Sequence, residues 1–334
     1  MYINIKPQYN KHYNCMDFYC KVIAELANRN YECIFMNQWD FDFNENSNSL
    51  GEGIYFYNRN YPIMDEKNYK LMFHHGIEIK YHYTNSYEEV MANLYEYLKY
   101  GRPLLVRFDG AIMDWGNELD KTIRRYKQMF LVIGVTKSQI MYFDTHDPSH
   151  VRQMDIDLFK KGCILHYKDT PFKTIYSTFN VVDDPSKNYD PKFLLTKSLE
   201  NLSKSFFSEN KFSALRNFSE KIKLNFNPCN EILPNTPIEY SRLMERLTLI
   251  TGSRNRYGIF IKYLKNKFNL EQLEFVIQNF NDLTDEWYEV WCLFLKFMYM
   301  GEIENKEKEI ISNKVKYISE HEERIYQKLL SIHI

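Results

Sequence analysis

After Asn14, apolar residues recur at Phe18, Tyr19, Val22, Ile23 and Leu26, the three-and-four spacing of a helix face, with Asn14 as its N-cap. Ser86-Tyr-Glu-Glu89 has the form of a capping box, and Gly101 closes the helix it starts. The pattern then shortens to strand-like runs. Leu104–Phe108 ends at Asp109-Gly110, and Met129–Gly134 is joined to Ile140–Phe143 by a polar Thr-Lys-Ser turn, which reads as a β-hairpin. Asp144-Thr-His-Asp-Pro-Ser149 stops the second strand with turn chemistry. Beyond Asp183-Asp-Pro-Ser186 the strand signals fade. Helical periodicity takes over around 191–208, 211–224, 237–266, 270–280, 284–300 and 304–332. The expectation is an α+β domain over 1–180, with antiparallel strands gathered after helices, and an all-helical domain over 190–334.

Composition narrows the classes. At 334 residues, 44% hydrophobic and 16% aromatic, the chain has ample material for a core. A formal net charge of -1 supplies no basic field for nucleic acid or an anionic membrane. There are only 11 glycines and neither a G-x-G-x-x-G nor a G-x-x-x-x-G-K-[ST] motif, so no dinucleotide or P-loop phosphate cradle is expected. No apolar run is long enough to span a bilayer, and the first residues lack the form of a signal peptide. The six cysteines form no C-x-x-C pair, and no His/Cys/Asp/Glu set has metal-ligand spacing. A cytoplasmic protein with reduced, mostly buried thiols and no bound cofactor is expected.

Cys15 is the first candidate for chemistry. Following the proposed N-cap, it opens a helix, where free N–H groups and the helix dipole favour a thiolate. That is how papain-like enzymes present their nucleophile. Gln8, seven positions earlier, stands where such folds place an oxyanion-stabilising amide. Cys20 and the Trp287–Trp291 pair read as core.

The stretch Asn14-Cys-Met-Asp-Phe-Tyr-Cys-Lys-Val-Ile-Ala-Glu-Leu-Ala27 resembles the cysteine-bearing opening of the butirosin biosynthesis protein H N-terminal family. Leu50-Gly-Glu-Gly-Ile-Tyr-Phe-Tyr57 is similar to that family's glycine-aromatic segment, and Gly101–Asp109 to its strand ending in Asp. The hairpin ending in Asp-Pro adds a further match. Gly252–Leu264 and Asp285–Trp291 resemble the helical domain that often follows.

The resemblance implies a papain-like cysteine-peptidase fold turned to acyl transfer. An acyl group would pass from the phosphopantetheine thioester of an acyl or peptidyl carrier protein to a small-molecule amine, in bacterial peptide or antibiotic biosynthesis. The phosphopantetheine is then a substrate arm rather than a resident cofactor. Amine capture calls for a general base. The family pattern places a histidine six residues before the hairpin glycine, Gly134; here that position is Gln128, whose amide does not titrate. Asp144, sixteen residues on, is an acid partner at a papain-like separation, with Asp147 competing and either serving equally as turn punctuation. His146 is the nearest substitute base. Asp109 corresponds to the family's strand-end Asp, for amine recognition. Arg254 and Arg256, near an expected helix end, are candidates for a phosphopantetheine phosphate. Arg124, Arg125 and Lys127 form a local basic patch suited to an acidic carrier protein. A non-catalytic carrier-binding or scaffold protein is the alternative, and a cysteine peptidase or thioesterase ranks below both.

Overall fold

The computed structural model describes residues 1–6, 10, 13, 15–56, 71–109, 112–113, 128–144, 147–163, 174–185, 189–232 and 236–332, with the backbone alone at 15, 128, 147–149 and 174–175. In chain order the elements are α1 (Cys15–Leu26), β1 (Asp42–Phe43), α2 (Leu50–Gly53), β2 (Ile54–Tyr55), β3 (Ile77–Thr84) and α3 (Tyr87–Lys99). They continue as β4 (Leu104–Phe108), β5 (Gln128–Val135), β6 (Gln139–Asp144), β7 (Asp147–Asp155), α4 (Ile156–Cys163) and β8 (Thr174–Val181). The helices α5 (Pro191–Glu200), α6 (Lys211–Asn225), α7 (Arg242–Phe268), α8 (Glu274–Met300) and α9 (Asn305–Leu330) complete the chain. No helix among the described residues is long and apolar enough to cross a membrane.

The chain packs as two compact units, one formed by Met1–Tyr31 and Asn68–Pro185, the other by Glu32–Lys67 and Ser186–Ile334. The sequence pattern puts 32–67 in the first domain, but that segment packs with the helices.

In the first unit the sheet is six-stranded and antiparallel throughout, in the order β3-β8-β4-β5-β6-β7. Strand alternation divides its side chains between two faces. Leu104, Val106, Phe108, Phe130, Val132 and Tyr142 form one core with Val90, Met91 and Leu94 of α3 and with Phe159 and Cys163 of α4. Leu105, Leu131 and Phe143 belong by alternation to the opposite face, where the Phe18 ring of α1 meets Phe143 at 5.7 Å. The expected β5–β6 hairpin is present, turning at residues 136–138. Where the sequence pattern expects a turn over 144–149, Asp144 is paired opposite Asp147, which begins β7.

The second unit is mainly helical, and a short chain segment fills its core. Trp39 packs edge-on to Phe280 at 4.9 Å and tilted against Tyr257 at 5.3 Å. Phe41 and Phe43 approach Phe218 at 5.7 and 5.1 Å. The α7 and α8 helices approach closely at Gly258, where an added Cβ would sit 3.0 Å from that of Phe280.

Candidate functional site

The helix opened by Cys15 is fixed from two sides. On one, the Tyr19 hydroxyl donates to the Met129 carbonyl, while Phe18 packs on Phe143, so α1 leans on the ends of β5 and β6. On the other, the Tyr31 hydroxyl donates to Asp17 Oδ1 at 3.1 Å, and the Tyr31 ring stacks on His75 at 6.0 Å. Residues 16–24 are buried on every face of the helix, which explains its largely apolar sequence. Burial first, then the Asp17 charge, push the Tyr31 hydroxyl well above its usual range. Its proton therefore stays in the bond to Asp17.

The antiparallel register gathers several candidates at one end of the sheet. Gln128 begins β5 opposite Phe108, the last residue of β4; Asp109 follows; Asp144 ends β6 and Asp147 begins β7. Tyr142 belongs to the α3 face and Phe143 to the α1 face, and the pairing of β6 with β7 turns irregular between Tyr142 and Asp144. Asp144 is fully buried. Burial, and after it the Asp144 charge, raise the Tyr142 hydroxyl to about 12. The residue that alternation places on the α1 face here is Arg107, paired opposite Met129. It was not singled out in the sequence, where Leu-Val-Arg-Phe reads only as strand.

Asp109 is half-buried, its N–H donating to the Gly162 carbonyl at 2.8 Å and its carbonyl accepting from Ile112 N–H at 3.3 Å. That is a turn tied to the end of α4. Gln8, His146, Arg124, Arg125 and Lys127 lie outside the described residues, as do the side chains of Cys15, Gln128 and Asp147. His150 lies exposed on β7.

Arg254 and Arg256 are corrected by the structure. They lie in the middle of α7, not near a helix end, and are 1% and 4% exposed. The Arg254 guanidinium grips Glu322 with two bonds of 2.8 and 3.0 Å and donates to the Asp40 carbonyl at 2.7 Å. The same carboxylate accepts from the indoles of Trp39 at 2.7 Å and Trp287 at 3.2 Å. Arg256 donates to Gln38 at 3.1 Å. These donors are committed inside the helical unit, which leaves Arg254 no face for a phosphate.

In the glycine-aromatic segment, Ser49 caps α2, and its Leu50 and Gly51 N–H groups donate to the buried Glu231 carboxylate. Gly51 is required because a Cβ there would lie 2.5 Å from the Leu243 nitrogen. Trp287 is fully buried, whereas Trp291 is partly exposed, stacked on Tyr288 and donating to Thr248. Of the cysteines, Cys20, Cys33 and Cys163 are buried, the last with its thiol raised to about 12 by burial, but Cys229 and Cys292 are exposed. Among the described residues no group of three or more His, Cys, Asp or Glu is placed to hold a metal ion. No protein-family model matches this sequence, and no curated protein matches it either.

Proposed function

We propose that this chain is a papain-like acyl-transfer protein in which Cys15 accepts an acyl group from a carrier-protein thioester. The observation that carries the reading is that α1 opens at Cys15 and is anchored, through Tyr19 and Phe18, on the strand ends of an antiparallel sheet. The order of the cysteine, glycine-aromatic, strand-Asp and hairpin motifs supports it. In the first step the Cys15 thiolate would attack the thioester carbonyl, forming a new thioester and expelling the phosphopantetheine sulfur as its thiolate. In the second, a small-molecule amine would attack that acyl-enzyme, returning the Cys15 thiolate and losing a proton. The first step needs little base; the second needs an acceptor for the proton. A reducing cytoplasmic setting and a role in natural-product biosynthesis belong to the same proposal.

The second reading is a carrier-binding protein that no longer completes the reaction. Gln128 in place of the expected histidine favours it. Hydrolysis of peptides or thioesters needs the same missing base. Intact-mass measurement after incubation with an acyl-loaded carrier protein distinguishes these readings. Acyl transfer predicts a mass gain of one acyl group on the wild type and none on Cys15→Ala, with loss of the adduct when the amine is added. Carrier binding without any adduct establishes the second reading, and absence of both overturns the two together.

A further inference from the structure

In the helical unit, α5 and the end of α9 line a half-open pocket of about 520 Å³. That size lies within the range of small-molecule sites, about 300 to 1,000 Å³. Its floor is aliphatic, made by Leu195, Leu199 and Leu329, with Tyr326 alongside. Its charged groups are unequal. Glu200 is already held by Lys197 at 2.9 Å, and that bond keeps its carboxyl below the usual range. Lys192 lines the same pocket two helical turns earlier, is exposed, and forms no ion pair among the described residues. Eight residues along α5 separate the two, about 12 Å at 1.5 Å per residue. The surplus charge at one end of an aliphatic trough is therefore positive.

From this asymmetry we propose that the α5–α9 pocket binds an amphipathic carboxylate, with the anionic head at Lys192 and an aliphatic tail over Leu195, Leu199 and Leu329. An aliphatic tail gains from leaving water at roughly 25 cal/mol per Å² of buried surface and supplies the affinity. The exposed head-group pair contributes less and sets the preference for charge. A cationic amphiphile of the same length would bring like charge to Lys192. Neither Cys15 nor any residue of the acyl-transfer proposal is involved, so the two ideas fail separately.

The full-length protein is titrated with sodium decanoate and, separately, with decylammonium chloride, both below their micelle concentrations, by isothermal calorimetry. The expected result is decanoate binding at about 1 mM or tighter, in line with the efficiency of small ligands, and at least threefold weaker decylammonium binding. Lys192→Glu should reverse that preference. Leu199→Trp, which fills the trough, should abolish both, with far-UV circular dichroism and melting confirming the fold of each variant. Absence of decanoate binding to the wild type overturns the proposal. So does equal binding of the two amphiphiles, a preference unchanged in Lys192→Glu, or unaltered binding to a folded Leu199→Trp.

Discussion

At the scale of single residues, Arg254 shows how the same side chain reads differently in sequence and in structure. Two arginines on either side of Asn255 in a helical stretch invite an anion. Buried inside the bundle, Arg254 already has one in Glu322, bonded bidentately and flanked by two indole N–H groups. Such a pair adds little stability relative to a well-packed apolar substitute, but removing one partner strands the other's charge. Arg254→Ala is therefore expected to destabilise the protein by about 3–5 kcal/mol in urea unfolding. The combination with Glu322→Leu should recover part of that loss. If Arg254→Ala melts like wild type, the buried pair is not what holds α7 to α9. Nothing local in the sequence announced this pairing, because Glu322 lies 68 positions away. The alternation of Trp39, Phe41 and Phe43 with Asp40 and Asp42 was the available sign that this segment is half core. Its acidic residues meet Lys211, which lies 3.0 Å from Asp40 and 3.9 Å from Asp42.

Among elements, α3 was the most legible. The sequence marks Ser86 as its N-cap, and the Ser86 hydroxyl accepts from Glu89 N–H at 3.2 Å; Gly101 ends the helical stretch at φ +68°. The capping-box reading is correct for Ser86 and incorrect for the Glu89 side chain. That carboxylate turns to the sheet, accepting from Thr84 at 2.6 Å and Tyr176 at 3.1 Å, while Thr84 accepts the Ser86 N–H at 3.0 Å. A local motif was overridden by partners in β3 and β8, which only the fold supplies. Ser86→Ala should cost about 1 kcal/mol in urea unfolding at pH 7. Glu89→Gln should behave differently. The Thr84 hydroxyl, then the Tyr176 hydroxyl, hold the Glu89 carboxyl below its ordinary 4.5. A depressed folded value means that the contribution is present above 4.5 and is lost as pH falls through the folded value. The stability gap between wild type and Glu89→Gln should accordingly shrink on acidification, as followed by urea midpoints from pH 7 to pH 3. A gap that stays constant or widens would show that the carboxylate's bonds are not what ties α3 to the sheet. The strands β3 and β8 are not legible in the sequence for a related reason: polar residues such as His82 and Thr178, bonded at 2.9 Å, satisfy one another across the two strands and so blur the alternation.

For the whole chain, the informative departure is the path of residues 32–67. A boundary near residue 180 follows from the change in periodicity, and the first unit ends at Pro185. Periodicity reports how each segment buries itself, however, and not against what. Trp39 is 1% exposed, and its neighbours Phe212, Tyr257 and Phe280 all come from helices beyond residue 200. Removing one such aromatic from a core costs about 3–5 kcal/mol. Removing the whole segment also uncovers Phe218 and Trp287, which Phe41 contacts, and takes the hydrogen-bonding partners from Glu231. Residues 190–334 produced alone should therefore lack a cooperative thermal transition and expose apolar surface to a hydrophobic dye. A peptide of residues 32–56, added in trans, should restore the transition in proportion to its concentration, because a segment that binds only the folded helices stabilises them by mass action. The Trp39→Ala peptide should restore it far less. Cooperative melting of 190–334 at the temperature of the intact protein would mean that the helices form their own core and that the inserted aromatics are ornamental to it.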